Sequence, residues 1–279
     1  MVVTVLFAGF PSAFAAVATA LHVPILVLLL GVVLRGAAFS FRAHDPDEAS
    51  RRRWGAVFSA GSIIAPIASG VIVGALTSGQ IRFEGDGAPV GGFFRPWIST
   101  WTLLVGAFAL TAFSWLAAVY LCVEAAARKS DAVRAFHSRA LVSFGALTLL
   151  AWMLLASSKE HAPAVWTALV ERRAAWAIHG VTAAASVIAI DGIIRERYRR
   201  ARLFAALQVS TIVLGWASAQ APCIIVPSVT VQSAASPPRT IALLAGALVA
   251  GSVVLLPSLA FLYKSFKGEL PLWPFEPKR

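Results

Sequence analysis

The chain has 279 residues, of which 58% are hydrophobic and only 13% are charged, and its mean hydropathy is +0.77. This composition excludes a water-soluble globular domain. The 24 Lys and Arg residues outnumber the 13 Asp and Glu residues and give a net charge of +11, which in a soluble protein would indicate nucleic-acid binding. Cys122 and Cys223 are too few for a disulfide framework and lack the spacing of metal ligands.

Long apolar stretches dominate the sequence. Each is about 20 residues long, which is enough to cross a hydrocarbon core of about 30 Å as a helix. They are rich in Leu, Ala and Gly, and backbone that faces lipid must satisfy its own hydrogen bonds, so strands are excluded. The sequence predicts an all-α, polytopic transmembrane helix bundle with clear spans at residues 22–42, 54–78, 100–125, 139–158, 174–194, 203–220 and 240–265.

Residues 1–20 form a further apolar stretch, which Pro11 interrupts. The sequence FAAVATA within it is similar to a signal-peptide cleavage region. The first ten residues contain no Lys or Arg, however, so the positive region that begins a signal peptide is missing. We therefore interpret this stretch as an eighth span, or as the remaining part of one.

Basic residues alternate between rich and poor loops along the chain. One set of alternate segments, around residues 42–53, 128–139, 195–202 and 264–279, holds 17 of the 24 basic residues, and the other set holds six. Lys and Arg accumulate in loops that stay cytoplasmic. The pattern predicts a cytoplasmic C-terminus, and a cytoplasmic Met1 if the first stretch crosses. The basic surplus is therefore mostly a signal of topology, with a contribution from anionic lipid headgroups.

The order of the segments suggests an internal repeat. Basic loops at residues 50–54 and 195–202 each precede a helix with small or hydroxyl residues and then a long external loop. This order is consistent with two four-helix units and a final helix. The predicted division is a first unit with the start of the second at 1–125, the second unit at 126–239, and the last helix with a cytoplasmic tail at 240–279.

Few ionisable residues fall inside the spans, where such groups are functional candidates. Arg35 lies about 10 Å inside its span, so it is either an anchor that extends to the interface or a buried cation that faces a partner, a cofactor carboxylate or a hydrated path. Asp191 precedes Arg195 by four residues, which predicts a local ion pair. No carboxylate lies near the centre of a predicted span, so the chain offers no acidic proton relay. Gly70 and Gly74 form a GxxxG pattern that we interpret as helix packing.

Haem ligation and hydrolytic chemistry find little support. No two of the five histidines have the spacing of ligands on one helix face, and only His179 is well inside a span. A pairing of His22 with His179 is geometrically conceivable, but the sequence argues against haem ligation within this chain. There is no P-loop, GxSxG, HExxH or Gly-rich dinucleotide turn. The sequence therefore predicts no catalytic, cofactor-binding or metal-binding residues.

Four patches resemble subunit II of cytochrome bd-type ubiquinol oxidases, in the order of that family. The most specific is LGWASAQAPCIIVPSVTVQSAASPP at 214–238, an external loop with a W-x-x-A-Q-x-P motif. The others are VLLLGVVLRGAAFSFR at 27–42, GSIIAPIASGVIVG at 61–74 and LLPSLAFLYKSFKG at 255–268. The resemblance covers residues 22–268, and its middle part is similar mainly in hydropathy.

The resemblance implies a nine-span subunit of the bacterial cytoplasmic (inner) membrane. It implies a heterodimer with subunit I, which carries haem b, haem d and the quinol site and reduces oxygen to water. Subunit II then binds no haem and stabilises subunit I, while a structural quinone or lipid remains open. In the family, subunit II begins outside and ends inside. The family's first span and its W-D-x-N-x-x-W segment are missing here, so the expectation is either a truncated start or a reduced variant.

The resemblance also points to individual residues. Arg35 matches the family's arginine, and we expect it to support the subunit interface or the field near the haems. Ser40 stands where the family usually has an acidic residue linked to proton delivery, which argues against a proton path through this chain. Ala221 replaces the tyrosine of the family's Q-Y-P motif. The structural and interface candidates are Arg35, Ser40, Trp216, Gln220 and Pro222.

A function from a different class remains as the alternative. Two similar units and helices broken by proline also occur in small-solute transporters. Such a transporter needs polar side chains that converge at mid-bilayer depth, and the sequence offers mostly Ser and Thr there. Examples are Ser62, Ser69, Ser143, Thr148 and Thr182.

Overall fold

The computed structural model describes residues 2–83, 89–90 and 94–267. The predicted tail beyond residue 267 and the middle of the external loop after residue 83 therefore lie outside the described residues. The elements are α1 (Val2–Gly9), α2 (Pro11–His44), α3 (Glu48–Thr77), β1 (Arg82–Phe83), β2 (Pro89–Val90), α4 (Thr100–Ala127), α5 (Val133–His161), α6 (Pro163–Trp166), a π-helical turn (Thr167–Glu171), α7 (Arg173–Ile194), α8 (Tyr198–Gln220), β3 (Cys223–Ile225), β4 (Val229–Thr230), α9 (Val231–Ala234) and α10 (Pro238–Lys267).

Within the described residues, seven helices are long and apolar enough to cross a membrane, namely α2, α3, α4, α5, α7, α8 and α10. The two short hairpins, β1–β2 and β3–β4, lie in the connections between helices. The prediction of a multi-pass transmembrane helix bundle is confirmed.

The start of the chain differs from the predicted separate spans at 1–20 and 22–42. The first eight described residues form the short helix α1, and the rest of the opening stretch continues into a 34-residue helix, α2. No polar turn separates the two predicted spans, so the helix continues through them. Pro24 removes a helical hydrogen bond, and the backbone leaves helical geometry three residues earlier, at Leu21 (φ −120°, ψ 20°). The predicted boundary between spans at residues 20–22 was therefore wrong, because the structure has a kink at this place inside one helix.

The chain divides into two compact units, one formed by residues up to 14 and from 234 onward, and the other by residues 15–233. In the first unit, α1 packs beside α10. The Ser236 hydroxyl donates to Ala8 O at 2.7 Å, and Ser236 N donates to Gly9 O at 2.8 Å. None of the residues in the apolar window of α10 is buried within the chain.

The second unit contains a core built from α4, α5, α7 and α8. Trp115 on α4, Leu147 on α5 and Ile193 on α7 are almost fully buried in it. The ring of Trp115 lies 5.1 Å from that of Phe144, centroid to centroid. Four helices with one shared apolar core form a helix bundle of the usual kind.

Glycines bring α2, α3 and α4 into close contact. A Cβ atom added to Gly70 would lie 2.5 Å from Val105 O, and one added to Gly74 would lie 2.9 Å from the Cα of Thr102. A Cβ on Gly61 would lie 2.7 Å from the carbonyl oxygen of Gly31 on α2. Small residues allow this backbone approach, which is a main source of helix association in lipid. The interpretation of Gly70 and Gly74 as a packing motif is confirmed.

Candidate functional site

Arg35 is the predicted intramembrane cation, and α2 places it nine residues before the helix end at His44, or about 14 Å along the axis. Its guanidinium carbon lies 5.5 Å from the centre of the Phe58 ring on α3. Its backbone lies against Gly61, where an added Cβ would be 3.0 Å from Arg35 N. The close α2–α3 contact therefore fixes where the side chain leaves the helix.

Arg35 has no carboxylate within 4.0 Å in the described part of the chain, where the ion pairs are Arg52–Glu48, Arg195–Asp191 and Arg200–Asp191. The predicted Asp191–Arg195 pair is confirmed at 2.6 Å. The side chain of Arg35 is exposed in the isolated chain. Phe58 stabilises the cation through its ring face but supplies no negative charge. Arg35 is therefore a cation that this part of the chain leaves without a counter-charge.

Ser40 and its neighbours lie on the outward side of α2. Ser40 is exposed, and its carbonyl oxygen accepts a hydrogen bond from His44 Nδ1 at 2.9 Å. Phe39 is 69% exposed. Large apolar side chains continue along the same helix at Leu26, Leu29, Leu30, Val32 and Val33, all more than half exposed. This side of α2 is available to lipid or to another protein.

The three other predicted residues lie at the end of α8 and just after it: Trp216 and Gln220 belong to the last two turns of the helix, and Pro222 begins the loop that follows. Gln220 Nε2 donates to Ile224 O at 2.7 Å, and Val231 N donates to Pro222 O at 2.9 Å. The peptide bond before Pro222 is cis. These contacts hold the β3–β4 hairpin in a compact turn at the end of α8.

The same loop is tied to α3. Val226 N donates to Leu76 O at 3.1 Å, which satisfies a carbonyl at the end of that helix. Ile225 is fully buried in a small cluster with Leu21, Ala75 and Ile81. The structure thus brings Gln220 and Pro222 into one loop that connects the ends of α8 and α3, whereas Arg35 and Ser40 belong to the α2 surface.

Two polar atoms in this region are buried without a hydrogen-bond partner in the described chain. They are Trp216 Nε1, a donor, and Gln220 Oε1, an acceptor. The bond from Gln220 Nε2 to a carbonyl oxygen fixes the orientation of the amide, because the reversed amide would place two oxygens together. The two residues are four apart on α8, so they share a helix face. A buried polar group without a partner typically costs about 1–3 kcal/mol.

Each of the two histidines considered as haem ligands donates a hydrogen bond to a backbone carbonyl oxygen. His179 Nε2 donates to Leu169 O at 2.9 Å, and His22 Nδ1 donates to Thr19 O at 2.9 Å. Trp176 Nε1 donates to Val170 O at 3.1 Å. Leu169 and Val170 belong to the π-helical turn, so two side chains of α7 satisfy backbone carbonyl groups of that turn. No group of three or more His, Cys, Asp or Glu that could hold a metal ion occurs among the described residues.

A polar contact inside the four-helix core was missed in the sequence. Trp115 Nε1 donates to Gln208 Oε1 at 3.0 Å, and both side chains are buried. One turn further along α8, Thr182 donates to the hydroxyl oxygen of Thr211 at 2.9 Å. Gln208 lies ten residues, or about 15 Å, from the start of α8, near the middle of a bilayer. The sequence signal that could have indicated this contact was the amide side chain of Gln208 inside an apolar span.

These observations describe a multi-pass membrane protein with a self-contained helix core and an exposed apolar helix, whose cation has no acidic partner among the described residues. The profile of the cytochrome bd terminal oxidase subunit II family matches residues 1–266, and the chain belongs to this family. The resemblance drawn from the four sequence patches is therefore confirmed.

The fold is also that of a solved structure. It is similar to a chain in the structure of bd oxidase from Geobacillus thermodenitrificans, with a TM-score of 0.69 and 18% sequence identity. The similarity covers 89% of this chain and 74% of that chain. No curated protein matches the chain significantly.

Membership of the family defines the function at the level of the complex. The chain is a subunit of a cytochrome bd-type quinol oxidase, an oxidoreductase of aerobic respiratory electron transport. A partner subunit is implied, and the complex contains haem. Neither comparison supports the alternative function as a small-solute transporter.

Proposed function

We propose that this chain is the non-catalytic, haem-free subunit of the oxidase and that it stabilises a haem-bearing subunit I. The observation that supports this most directly is Arg35, a cation on an exposed apolar helix with no acidic partner within 4.0 Å in the described chain. A charge at this depth is costly in lipid and is normally paired. We propose that a negative group of the partner subunit, either a carboxylate or a haem propionate, lies opposite Arg35.

The family resemblance supports the haem-free part of the proposal, because it implies that subunit I carries both haems. One ring nitrogen of His22 and one of His179 hydrogen-bond to backbone oxygens, Thr19 O and Leu169 O. Haem b and haem d would then both belong to the partner subunit, as would quinol oxidation. This chain would supply packing surface, insulation from water and a positive charge at Arg35. A structural quinone or lipid between its helices is compatible with this role.

The other candidates are given structural roles. Gln220 and Pro222 hold the loop after α8 through the bonds to Ile224 O and from Val231 N, and Trp216 lies one turn before Gln220 on the same helix face. Ser40 has no ionisable group, so we assign no proton transfer to it. The distribution of basic residues supports a bacterial inner-membrane location with the C-terminus in the cytoplasm.

The experiment that tests the role of Arg35 compares Arg35→Ala with Arg35→Lys in the complete oxidase. Loss of one partner of a buried ion pair typically costs about 3–5 kcal/mol, because the other charge stays buried. We expect Arg35→Ala to remove most of the assembled haem-bearing complex and Arg35→Lys to retain more of it. Assembly is measured by the haem difference spectrum of the complex captured through a tag on this chain.

An immunoblot of this chain in the membranes provides the control for expression. If both variants assemble to near-normal levels, Arg35 is an interfacial anchor that reaches water and the proposed pairing is wrong. If both lose the complex equally while the chain itself disappears from membranes, the residue acts in the folding of this chain.

A further inference from the structure

A cavity of about 300 Å³ opens at the turn between α2 and α3, on the basic side of the chain. Arg42 in the last turn of α2 lines one part of it. Glu48, Arg51, Arg52 and Gly55, from the first two turns of α3, line the rest. This cavity is separate from the Arg35 surface and from the outer loop, and the proposed function does not use it.

The lining of the cavity carries a surplus of positive charge. Glu48 Oε1 pairs with Arg52 Nη2 at 2.7 Å. Neither Arg42 nor Arg51 forms an ion pair in the described part of the chain. Three guanidinium groups thus face one carboxylate, which leaves two positive charges to be balanced.

The acidic residues of the adjacent loop supply only part of the balance: they mainly bind the loop itself, and Asp45 also attracts Arg51 electrostatically. Asp47 Oδ2 accepts from Ser50 N at 2.9 Å as the N-cap of α3. Asp45 accepts from Asp47 N at 3.0 Å and also from the Ser50 hydroxyl. Neither carboxylate lines the cavity. Asp45 and Asp47 therefore mainly shape the turn, while Arg42 and part of the charge of Arg51 remain available to an external anion.

The surroundings indicate that the anion is attached to lipid. Phe39 and Phe41, just before Arg42 on α2, are 69% and 54% exposed. The Phe41 ring stacks on Trp54 with centroids 4.7 Å apart. Exposed aromatic side chains beside arginines at a span end are typical of the depth of lipid headgroups. Phosphate would meet the guanidinium groups, and acyl chains would lie along the apolar surface of α2.

We propose that this cavity, defined by Arg42, Arg51, Arg52 and Gly55, binds the phosphate group of an anionic phospholipid. Guanidinium groups bind phosphate oxygens in pairs, which gives a defined geometry as well as charge attraction. The surplus of positive charge disfavours a zwitterionic headgroup such as phosphatidylcholine, whose ammonium group would lie near the same arginines. Gly55 leaves room for the headgroup, because an added Cβ would meet no atom within 4 Å.

The test uses the purified oxidase complex and native mass spectrometry, with phosphatidylglycerol as the probe. Arg42→Gln and Arg51→Gln should each weaken the binding of one phosphatidylglycerol about fivefold, as expected for the loss of one basic residue near an anionic lipid. The matched control is Arg53→Gln, which removes the same charge from the same run but does not line the cavity. This control should bind phosphatidylglycerol as the unmodified complex does.

A second variant keeps every charge and blocks the space. Gly55→Leu should reduce binding of the same lipid without changing the haem content, which reports that the complex is intact. The proposal is wrong if Arg53→Gln weakens binding as much as Arg51→Gln, because the effect would then be general attraction to the membrane. It is also wrong if phosphatidylcholine binds equally well, or if inorganic phosphate displaces the phospholipid.

Discussion

Helices α3 and α4 meet through backbone contacts at Gly70 and Gly74, and Trp101 Nε1 on α4 donates to Gly74 O on α3 at 3.1 Å. Helix α2, in the same unit, has exposed Leu and Val side chains and, beside its contact with α3, a cation without a counter-charge in the described chain. In the first region, the chain satisfies its own packing and hydrogen bonds. In the second, it leaves apolar area and charge for another molecule. This difference supports the proposed contact of α2 with the partner subunit and a structural role for the α3–α4 contact.

The largest effect expected from a change in the packing of this chain itself comes from one that separates α3 from α4. In Gly70→Ala, the new methyl group would lie 2.5 Å from Val105 O and 2.7 Å from the Cα of Gly106, so backbone must move. Overpacking of this kind typically costs about 1–3 kcal/mol and occasionally more. We expect a lower melting temperature of the complex and less of it in membranes, measured by thermal loss of the haem spectrum.

The matched control is Gly145→Ala on α5, where an added Cβ meets no atom within 4 Å. This variant should be as stable as the unmodified protein or slightly more so, because alanine favours the helix. Equal stability of the two variants would show that the close α3–α4 contact does not contribute to stability.

A smaller effect is expected from the polar contact inside the four-helix core. Gln208→Leu removes the acceptor of Trp115 Nε1 and leaves a buried donor unpaired. Hydrogen bonds between transmembrane helices contribute about 0.6 kcal/mol on average, and the unpaired donor adds to that loss. We expect a loss of about 1 kcal/mol in stability with unchanged oxidase turnover per haem.

This prediction distinguishes a structural role of the Trp115–Gln208 hydrogen bond from a role in a functional path. Trp115→Phe and the double variant complete a double-mutant cycle, in which the two losses should not add because they remove one contact. If turnover per haem falls in Gln208→Leu while the melting temperature does not, the buried amide belongs to a functional path and the core is not merely structural.

The smallest effect concerns the turn at the end of α2. A hydrogen bond from the Ser50 side chain, and then one from Asp47 N, lower the pKa of Asp45 from its ordinary value of 3.8. A lowered pKa in the folded state contributes stability above the ordinary value, and this contribution is lost as the pH falls through the folded value. The stability of the complex should therefore decrease slightly below about pH 4.

The measurement is the melting temperature between pH 5 and pH 3, where Asp45→Asn should show a weaker dependence on pH than the unmodified complex. Asp131→Asn removes the same charge from the turn between α4 and α5 and serves as the control. Identical pH curves for the unmodified complex and Asp45→Asn would show that the hydrogen bonds of Asp45 do not stabilise the turn.

Hydropathy predicted most of the fold because a membrane requires long apolar helices with polar ends. The predicted span at 100–125 corresponds to α4 at Thr100–Ala127, and the span at 174–194 to α7 at Arg173–Ile194. The GxxxG pattern at Gly70 was an equally local signal and was informative, whereas the orientation that the loop charges indicate stays a prediction.

Features that depend on distant contacts could not be predicted in this way. The π-helical turn at Thr167–Glu171 is stabilised by His179 and Trp176, which come later in the chain. Gln208 finds Trp115 across 93 positions, so its role was invisible in a hydropathy profile. The kink at Leu21 was predicted as a boundary because a continuous apolar stretch does not show in its hydropathy whether it forms one bent helix or two helices.

The most direct test of the haem-free, stabilising role is capture of the tagged chain from membranes in mild detergent, followed by a reduced-minus-oxidised haem spectrum. The comparison includes His22→Gln and His179→Gln in the same complex. We predict that a larger haem-bearing chain is captured in equal amount and that the haem content per complex is the same in all three preparations. Capture without any haem protein, or the loss of one haem signal in a histidine variant whose subunits still assemble, would contradict the proposed function.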